Sequence, residues 1–219
     1  MKKATKALLA ILCVVLLVAG SVMATLAYLT DSDEVKNTVT VGKVDITVDE
    51  SEVTPDGEPV DGADRVDGNE YHLIPGQSYV KDPTMTVKKG SEESYVRMLV
   101  SVNCLSELKA IFGEDFLPEN YVEGWDRNIW VPHSITEDTE NNTAVYEFRY
   151  YKTVDAFEAT DNIVLEPLFT SFTVPGEVTG EELATIADLE IIASGHAIQT
   201  LGFDSEDAAW AAFDVQVNG

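Results

Sequence analysis

The sequence predicts a mainly β protein, specifically a jelly-roll-like β-sandwich with two or three short helical insertions. Apolar and polar residues alternate with a period of two in several short segments, which is the pattern of half-buried strands. Turn-forming Gly and Pro residues separate these segments. Apolar residues at helical spacing occur only in brief runs, so we expect a core made by sheets, with helices added around it.

Strand patterns recur from residue 38 to residue 198. Residues 38–48 alternate around Gly42, where the phase shifts by one residue and predicts a bulge or bend. Residues 95–102 form the clearest strand pattern. One face of this strand belongs in the core: Val96, Met98, Val100 and Val102. The other predicted extended segments are 71–76, 85–87, 129–131, 144–150, 162–172 and 189–198, with a polar turn at 137–142.

Three segments have helical features. Residues 105–112 place apolar side chains at helical spacing, and a glycine stops the run. Residues 180–187 predict a helix of one or two turns. Residues 205–213 predict a short helix with Asp204 or Ser205 as its N-cap, and its two aromatic residues lie on one face.

The N-terminus has the three parts of a secretory signal peptide, which we assign to residues 1–27. Three lysines among the first six residues precede an uncharged apolar run over 7–20, and small residues follow at Ala24 and Ala27. Cleavage after either alanine fits the preference of signal peptidase for small side chains. An uncleaved membrane anchor over residues 7–29 is the alternative, since this stretch is long enough to span a bilayer. The acidic residues after it favour cleavage.

The chain is strongly acidic, with 14 Lys and Arg residues against 39 Asp and Glu residues. The leader contains three of the lysines and no acid, so residues 28–219 have 11 basic and 39 acidic side chains and a net charge of −28. The electrostatic field of this negative charge repels nucleic acid and anionic lipid. We therefore expect no nucleic-acid partner, and contact with a membrane only through the leader. Self-association must then depend on backbone pairing, apolar contacts or screening by ions.

Residues 28–219 are predicted to form a single β-sandwich (jelly-roll) domain with an acidic loop insertion at 49–70. This insertion combines nine acidic residues with Pro and Gly and has no apolar period, as in a surface loop or a disordered segment. It does not match an EF-hand loop, because alternate positions after Asp61 hold Ala63 and Arg65. We therefore predict no cofactor, with calcium at the acidic loop as the alternative.

Two cysteines are present, and Cys13 lies within the leader. Leu12 before it is not the small residue that lipidation would need. Cys104 is then the one cysteine of the remaining chain, so no disulfide can form within that chain. We expect Cys104 to be buried as a small apolar residue, with pairing between two chains as the alternative.

A specific order of residues is present in segments 24–31 (Ala-Thr-Leu-Ala-Tyr-Leu-Thr-Asp) and 37–46 (Asn-Thr-Val-Thr-Val-Gly-Lys-Val-Asp-Ile). A small-residue site is followed by an aromatic residue, a Thr-Asp pair and a Thr-rich strand. This order resembles the export signal of the TasA and camelysin family, whose members are exported by Gram-positive bacteria through a dedicated, SipW-type signal peptidase. Residues 74–76, 94–97 and 196–199 resemble shorter motifs of the same family.

The resemblance implies a jelly-roll fold and a role in the extracellular matrix or at the cell surface, as a biofilm fibre subunit or an accessory protein. It implies a cut between Ala27 and Tyr28 by the dedicated signal peptidase. The expected further partners are other copies of the chain or related matrix proteins.

Donor-strand assembly is also implied by the resemblance. The N-terminal segment freed by cleavage would add to a sheet edge of the next subunit, because an unpaired edge offers N–H and C=O groups to a neighbouring strand. The donor residues would be Tyr28, Leu29, Val35, Val39 and Val41. The alternative is that this segment folds back as an edge strand of its own domain.

The camelysin branch of the family has been described as metallopeptidases, so a secreted metal-dependent peptidase is the alternative function. The chain has three histidines, His72, His133 and His196, and none lies in an H-E-x-x-H motif, which would place two imidazoles on zinc. No Gly-x-Ser-x-Gly motif or Gly-rich phosphate loop is present. We therefore predict that the protein is not an enzyme and has no catalytic residue and no metal ligand. A site made by the three scattered histidines is the alternative.

Overall fold

The computed structural model describes residues 30–34, 37–41 and 44–218. This part of the chain is mainly β and contains three antiparallel sheets and three α-helices, which confirms the predicted fold class at this level. The assigned leader, residues 1–27, lies outside the described residues. Among the helices of the described part, none combines the length and the apolar character that crossing a membrane requires.

The strands are β1 (Thr30–Glu34), β2 (Asn37–Val41), β3 (Ile46–Asp49), β4 (Ser78–Val80), β5 (Thr84–Val87), β6 (Ser94–Val102), β7 (Val122–Glu123), β8 (Trp130–Asp138), β9 (Thr143–Tyr150), β10 (Ile163–Val164), β11 (Ser171–Thr173) and β12 (Ile191–Gln199). The helices are α1 (Leu105–Phe112), α2 (Gly180–Thr185) and α3 (Glu206–Asn218). The largest sheet has six strands in the order β2-β1-β12-β6-β9-β8. Two three-stranded sheets have the orders β10-β5-β3 and β4-β11-β7.

The core face predicted for β6 is buried as expected: Val96, Met98, Val100 and Val102. It continues on β9, because Met98 pairs with Phe148 and Val100 pairs with Tyr146 across the two strands. The β10-β5-β3 sheet contributes four buried side chains to the same apolar cluster: Ile46, Val48, Met85 and Val87. The main core therefore lies between these two sheets, and burial of this apolar area contributes roughly 25 cal/mol per Å² to stability.

The two sheets approach each other closely at Gly195 of β12. A Cβ atom at this position would lie 2.4 Å from Val48 Cγ2 and 2.6 Å from Met85 Cε. Both distances are far shorter than a van der Waals contact, so any larger side chain would push the sheets apart. Glycine within a strand often marks such an approach.

Helix α3 covers the opposite face of the six-stranded sheet. Its buried residues Ala209, Trp210 and Phe213 form a second apolar cluster with Ile198 of β12. The helix begins as predicted, with Ser205 Oγ accepting a hydrogen bond from the N–H of Ala208 at 3.2 Å. It continues five residues beyond the predicted end at residue 213 and ends at Asn218, because no Gly or Pro interrupts the chain before Gly219.

The predicted strand at residues 71–76 is wrong, although the turn at Pro75 and Gly76 is present. Backbone groups in this segment bond to a side chain instead of to a strand. The hydroxyl of Tyr79 donates to the C=O of His72 at 2.7 Å and accepts from the N–H of Ile74 at 2.6 Å. Strand β4 begins only after the turn.

Strand β8 is longer than the predicted segment 129–131 and runs through the first residues of the predicted polar turn 137–142. Glu137 pairs with Ala144 and Asp138 pairs with Thr143, so the backbone ladder continues although the side chains are polar. All residues of β8 after Trp130 are exposed, so the sequence of this strand has no alternation of apolar and polar residues that would predict it.

The segment 38–48 is divided between two sheets, since β2 joins the six-stranded sheet and β3 joins the β10-β5-β3 sheet. Gly42, where the bulge or bend is predicted, lies outside the described residues. The segment 162–172 is also divided, into β10 and the start of β11. Helices α1 and α2 confirm the predictions for 105–112 and for 180–187.

The acidic loop 49–70 packs on the body of the protein. Two isolated bridges lie within it, between Glu50 and Val66 and between Val53 and Pro59. Arg65 forms ion pairs with Asp49 and with Asp82. Burial opposes ionisation of Asp82, but hydrogen bonds from Arg65 and Ser51 outweigh it and lower the pKa of the Asp82 carboxyl. One arginine thus compensates part of the negative charge, and the segment is a folded surface loop.

Candidate assembly surface

The N-terminal segment lies at one edge of the six-stranded sheet. Strand β1 pairs antiparallel with Gly195 to Ile198 of β12, and β2 pairs with β1. The donor residues Val39 and Val41 lie in β2. The remaining donor and cleavage residues lie outside the described residues: Ala27, Tyr28, Leu29 and Val35. In the single chain, β1 and β2 therefore pair with the sheet of their own domain.

Strand β12 is only partly covered on this edge. Its other edge pairs with β6 over all nine residues, Ile191–Gln199, whereas β1 covers the four residues 195–198. Within the described residues, the first half of β12 has no strand partner on the β1 side. Free backbone groups along a well-anchored strand are the requirement for accepting a further strand.

The opposite edge of the sheet is formed by β8 and is built differently. Pro132 lacks an N–H group, and the register with β9 shifts between Pro132 and Ser134, leaving His133 as a bulged residue. Proline and bulges both hinder the addition of another strand to an edge. A groove of about 360 Å³ lies beside this bulge, lined by Glu119, Pro132, His133, Ser134, Ile135, Tyr146, Glu147 and Phe148. The β12 edge is therefore the better acceptor.

A buried charged residue fastens helix α3 to the sheet near the β12 edge. Arg97 of β6 is 3% exposed and lies beside His196, its register partner on β12. The guanidinium carbon lies 4.4 Å from the ring centre of Trp210 and 5.2 Å from that of Phe213, which is cation–π geometry. It also forms an ion pair with Asp214 of α3. Two of the short motifs singled out in the sequence, 94–97 and 196–199, thus meet in space.

His196 is held in its neutral form by this environment. Burial and, secondarily, the charge of Arg97 lower the pKa of His196 to about 3, although Asp214 acts in the opposite direction. The neutral ring uses Nδ1 as acceptor for the guanidinium of Arg97, at 3.2 Å from Nε and 3.1 Å from Nη2. Its ring centre lies 4.7 Å from that of Phe213. These contacts give His196 a packing role under α3.

A second arginine holds the other end of α3. Arg149 of β9 pairs with Glu147 at 2.7 Å on its own strand and with Asp207 of α3 at 2.5 Å. Glu206 lies 3.9 Å from the same guanidinium. The Asp207 side chain is 78% exposed, so solvent screens this pair and it contributes little to stability. The two arginines together set the position of α3 across β9, β6 and β12.

The three histidines lie in different environments. His72 is exposed in a loop, with Nδ1 3.9 Å from Asp56, His133 is on the β8 edge, and His196 is under α3. In residues 44–218, for which side chains are described up to residue 217, no group of three or more His, Cys, Asp or Glu side chains is arranged to hold a metal ion.

Cys104 is half-buried and not fully buried as expected. It precedes α1 with a left-handed φ of 55°, an unusual conformation for a residue other than glycine. Burial raises the pKa of its thiol, and the charges of Glu107 and Asp188 raise it further. The thiol is therefore a poor nucleophile at neutral pH.

The sequence reasoning missed the roles of Arg97 and Arg149. The available signal was their position, because both are charged residues on strands whose other face is apolar. A charged residue facing away from the main core ordinarily predicts a solvated face, so only the position of α3 reveals that Arg97 is buried. Comparisons of the chain with family models, with curated proteins and with solved structures found no significant match.

Proposed function

We propose that this chain is an exported structural protein of the extracellular matrix or cell surface, and that it serves as a fibre subunit or accessory protein. In this proposal the leader is removed between Ala27 and Tyr28, and the freed N-terminal segment joins the sheet of a neighbouring copy or of a related matrix protein. The single observation that carries the proposal is the position of β1 and β2 at the edge of the six-stranded sheet, joined to β12 by strand pairing.

Strand exchange is physically reasonable at this edge. The same backbone pairing that β1 makes with its own β12 can be made with β12 of another copy. Strand exchange therefore replaces each hydrogen bond within a chain by an equivalent one between chains. The first half of β12, which no strand of the described residues covers on the β1 side, gives an incoming strand a place to begin pairing. Backbone pairing also suits a chain with so many like charges, because it does not depend on complementary side chains.

The proposed jelly-roll topology is supported by the arrangement of the sheets. Two antiparallel sheets enclose the main apolar cluster, and the chain passes between them from β2 to β3 and from β5 to β6. Such alternation between sheets is what a jelly roll requires. An experimental structure of the mature chain would test this assignment by its strand connectivity.

The test of the assembly proposal is a truncation. Mature protein lacking residues 28–36 should remain folded but should form no filaments visible by negative-stain electron microscopy, whereas the untruncated mature protein forms them alone or with its matrix partner. The matched control is Ile135→Lys on the opposite β8 edge, where the side chain is already 51% exposed. Normal filaments from the truncated protein, or loss of filaments in the control alone, would contradict the proposal.

The proposal assigns no catalytic role to any histidine. It predicts that purified mature protein neither retains one equivalent of zinc after dialysis nor hydrolyses casein. Zinc at one equivalent together with proteolysis that a chelator abolishes would establish the peptidase alternative and overturn the structural function.

A further inference from the structure

A buried lysine, a buried glutamate and an asparagine meet at the base of the acidic loop. The Nζ atom of Lys81 donates to Oε2 of Glu50 at 2.6 Å, and Nδ2 of Asn69 donates to Oε1 of the same carboxylate at 2.8 Å. Lys81 is 7% exposed and Glu50 is 4% exposed. One carboxylate therefore bridges an amine and a side-chain amide in a site that is largely closed to water.

An aromatic ring and an apolar cavity surround these groups. Lys81 Nζ lies 5.7 Å from the ring centre of Tyr71, and burial together with the charge of Glu50 raises the pKa of the Tyr71 hydroxyl. Lys81 also borders an apolar cavity of about 90 Å³ that includes Leu73 and Phe172. In such an environment an ion pair has a desolvation cost, which only good hydrogen bonds offset.

The amide of Asn69 is held in a fixed orientation. Its Oδ1 accepts from the N–H of Val53 at 2.9 Å, and its Nδ2 donates to the C=O of Ser51 at 2.9 Å as well as to Glu50. The Val53 N–H group therefore points at the oxygen on which negative charge would develop if the amide carbon were attacked. This is the arrangement of an oxyanion hole with one donor.

We propose that Lys81 and Asn69 form an intramolecular isopeptide bond, with Glu50 as the proton-transfer group. Glu50 accepts a proton from the Lys81 ammonium, and the neutral Nζ attacks Cγ of Asn69. A new Nζ–Cγ bond forms, the Cγ–Nδ2 bond breaks, and the Nδ2 amino group takes one further proton from Nζ and leaves as ammonia. The products are a secondary amide, a protonated Glu50 carboxyl group and one ammonia molecule. No oxidant or reductant is needed, and no net charge is created.

The bond would close a covalent ring between the end of the acidic loop and the segment that connects β4 to β5. A chain whose mature part has a single cysteine cannot form this kind of restraint with an internal disulfide. The proposal stands on the geometry of Lys81, Glu50 and Asn69 and does not depend on whether the protein forms fibres.

Mass spectrometry of the full chain, purified and denatured before digestion with trypsin, tests the proposal. Trypsin normally cuts after Arg65, Lys81 and Lys88, which gives the fragment 66–81. The cross-linked protein should instead give the fragment 66–88, uncut after Lys81 and lighter than its sequence mass by about 17 Da, the mass of ammonia. Fragmentation should locate the bond between Asn69 and Lys81.

Two variants serve as controls. Lys81→Arg keeps the positive charge beside Glu50 but removes the nucleophilic amine, and Glu50→Gln keeps hydrogen-bonding capacity but removes the proton acceptor. Both should show the full sequence mass and normal cleavage after position 81. If a variant fails to fold, the result for the unsubstituted protein decides the question.

Three results would overturn the proposal. The first is the fragment 66–81 at its full sequence mass. The second is a loss of about 17 Da with normal cleavage after Lys81, which would indicate a cyclic imide at Asn69. The third is a bond between Lys81 and Glu50 with a loss of about 18 Da, the mass of water. A cross-link that forms equally well in Glu50→Gln would refute the role of Glu50.

Discussion

Replacement of Gly195 by alanine tests whether the close approach of the two sheets controls stability. The added Cβ would lie 2.4 Å from Val48 Cγ2, on a stiff β-branched side chain, and 2.6 Å from Met85 Cε, at the end of a flexible one. Met85 can move aside, but Val48 cannot do so without a shift of β3. Overpacking of this kind costs about 1–3 kcal/mol.

The alanine also stabilises the folded state by about 0.5–1 kcal/mol, because it removes the entropic cost of a glycine in a strand. The expected net effect of Gly195→Ala is therefore a loss of about 1–2 kcal/mol in the free energy of unfolding. Urea unfolding followed by tryptophan fluorescence measures this value, since the chain has three tryptophans.

Two further variants make the test specific. Gly180→Ala, at the first position of α2, meets no atom within 4 Å and should change stability by less than about 1 kcal/mol. Val48→Ala removes the obstructing methyl group, so Gly195→Ala should cost at least about 1 kcal/mol less in that background. Equal effects of both glycine substitutions, or no coupling between positions 48 and 195, would refute the steric explanation.

Three further experiments, with five variants, test the elements around this core. Arg97→Met should lower the free energy of unfolding by about 2–4 kcal/mol, because it leaves Asp214 and His196 without their partner. Arg149→Met should lower it by less than half as much, since Asp207 is exposed. Similar losses for both variants would contradict the importance of burial. His196 has a pKa of about 3 in the folded protein, below its value in the unfolded chain. The unfolded chain therefore binds an extra proton as pH decreases from 7 to 5, and the free energy of unfolding should fall by up to about 2 kcal/mol. His196→Phe should reduce this slope in urea titrations at each pH, and an unchanged slope would show that other groups cause it. Thr179→Ala removes the capping box that Thr179 and Glu182 form at the start of α2 and should cost about 1 kcal/mol, whereas Thr185→Ala at the other end should cost less.

The parts of the fold that the sequence predicted correctly are those specified by local patterns. The buried face of β6 follows from strict alternation, and α1 follows from apolar spacing ended by Gly113. The start of α3 follows from Ser205, whose side chain can cap the helix without any tertiary contact. In each case residues close in sequence determine the structure.

The parts that could not be predicted depend on partners distant in sequence. Strand β8 has almost no buried residue and exists because β9 supplies a ladder beside it. Residues 71–76 have a strand-like composition, but the hydroxyl of Tyr79 bonds the N–H of Ile74 and the C=O of His72, and the N–H of His72 bonds to Pro55. The division of 38–48 between two sheets likewise follows from which strands β2 and β3 meet.

The same limit applies to the candidate sites. The N-terminal segment was identified from its order of residues. Its neighbour β12, and the half of that strand that the described part of β1 leaves unpaired, become known only with the register. Lys81, Glu50 and Asn69 are separated by up to 31 positions and form no sequence motif, so only folding brings them together.

The proline and the bulge in β8 have a consequence for the geometry of any assembly. If one edge of the sheet accepts a strand and the other rejects it, each subunit binds two neighbours. It donates its N-terminal strand to one neighbour and receives a strand from the other. Such a polymer is linear and unbranched, and its two ends differ, since one exposes a vacant β12 and the other a free N-terminal strand. Growth would then be directional, and an isolated N-terminal peptide would terminate it at one end only.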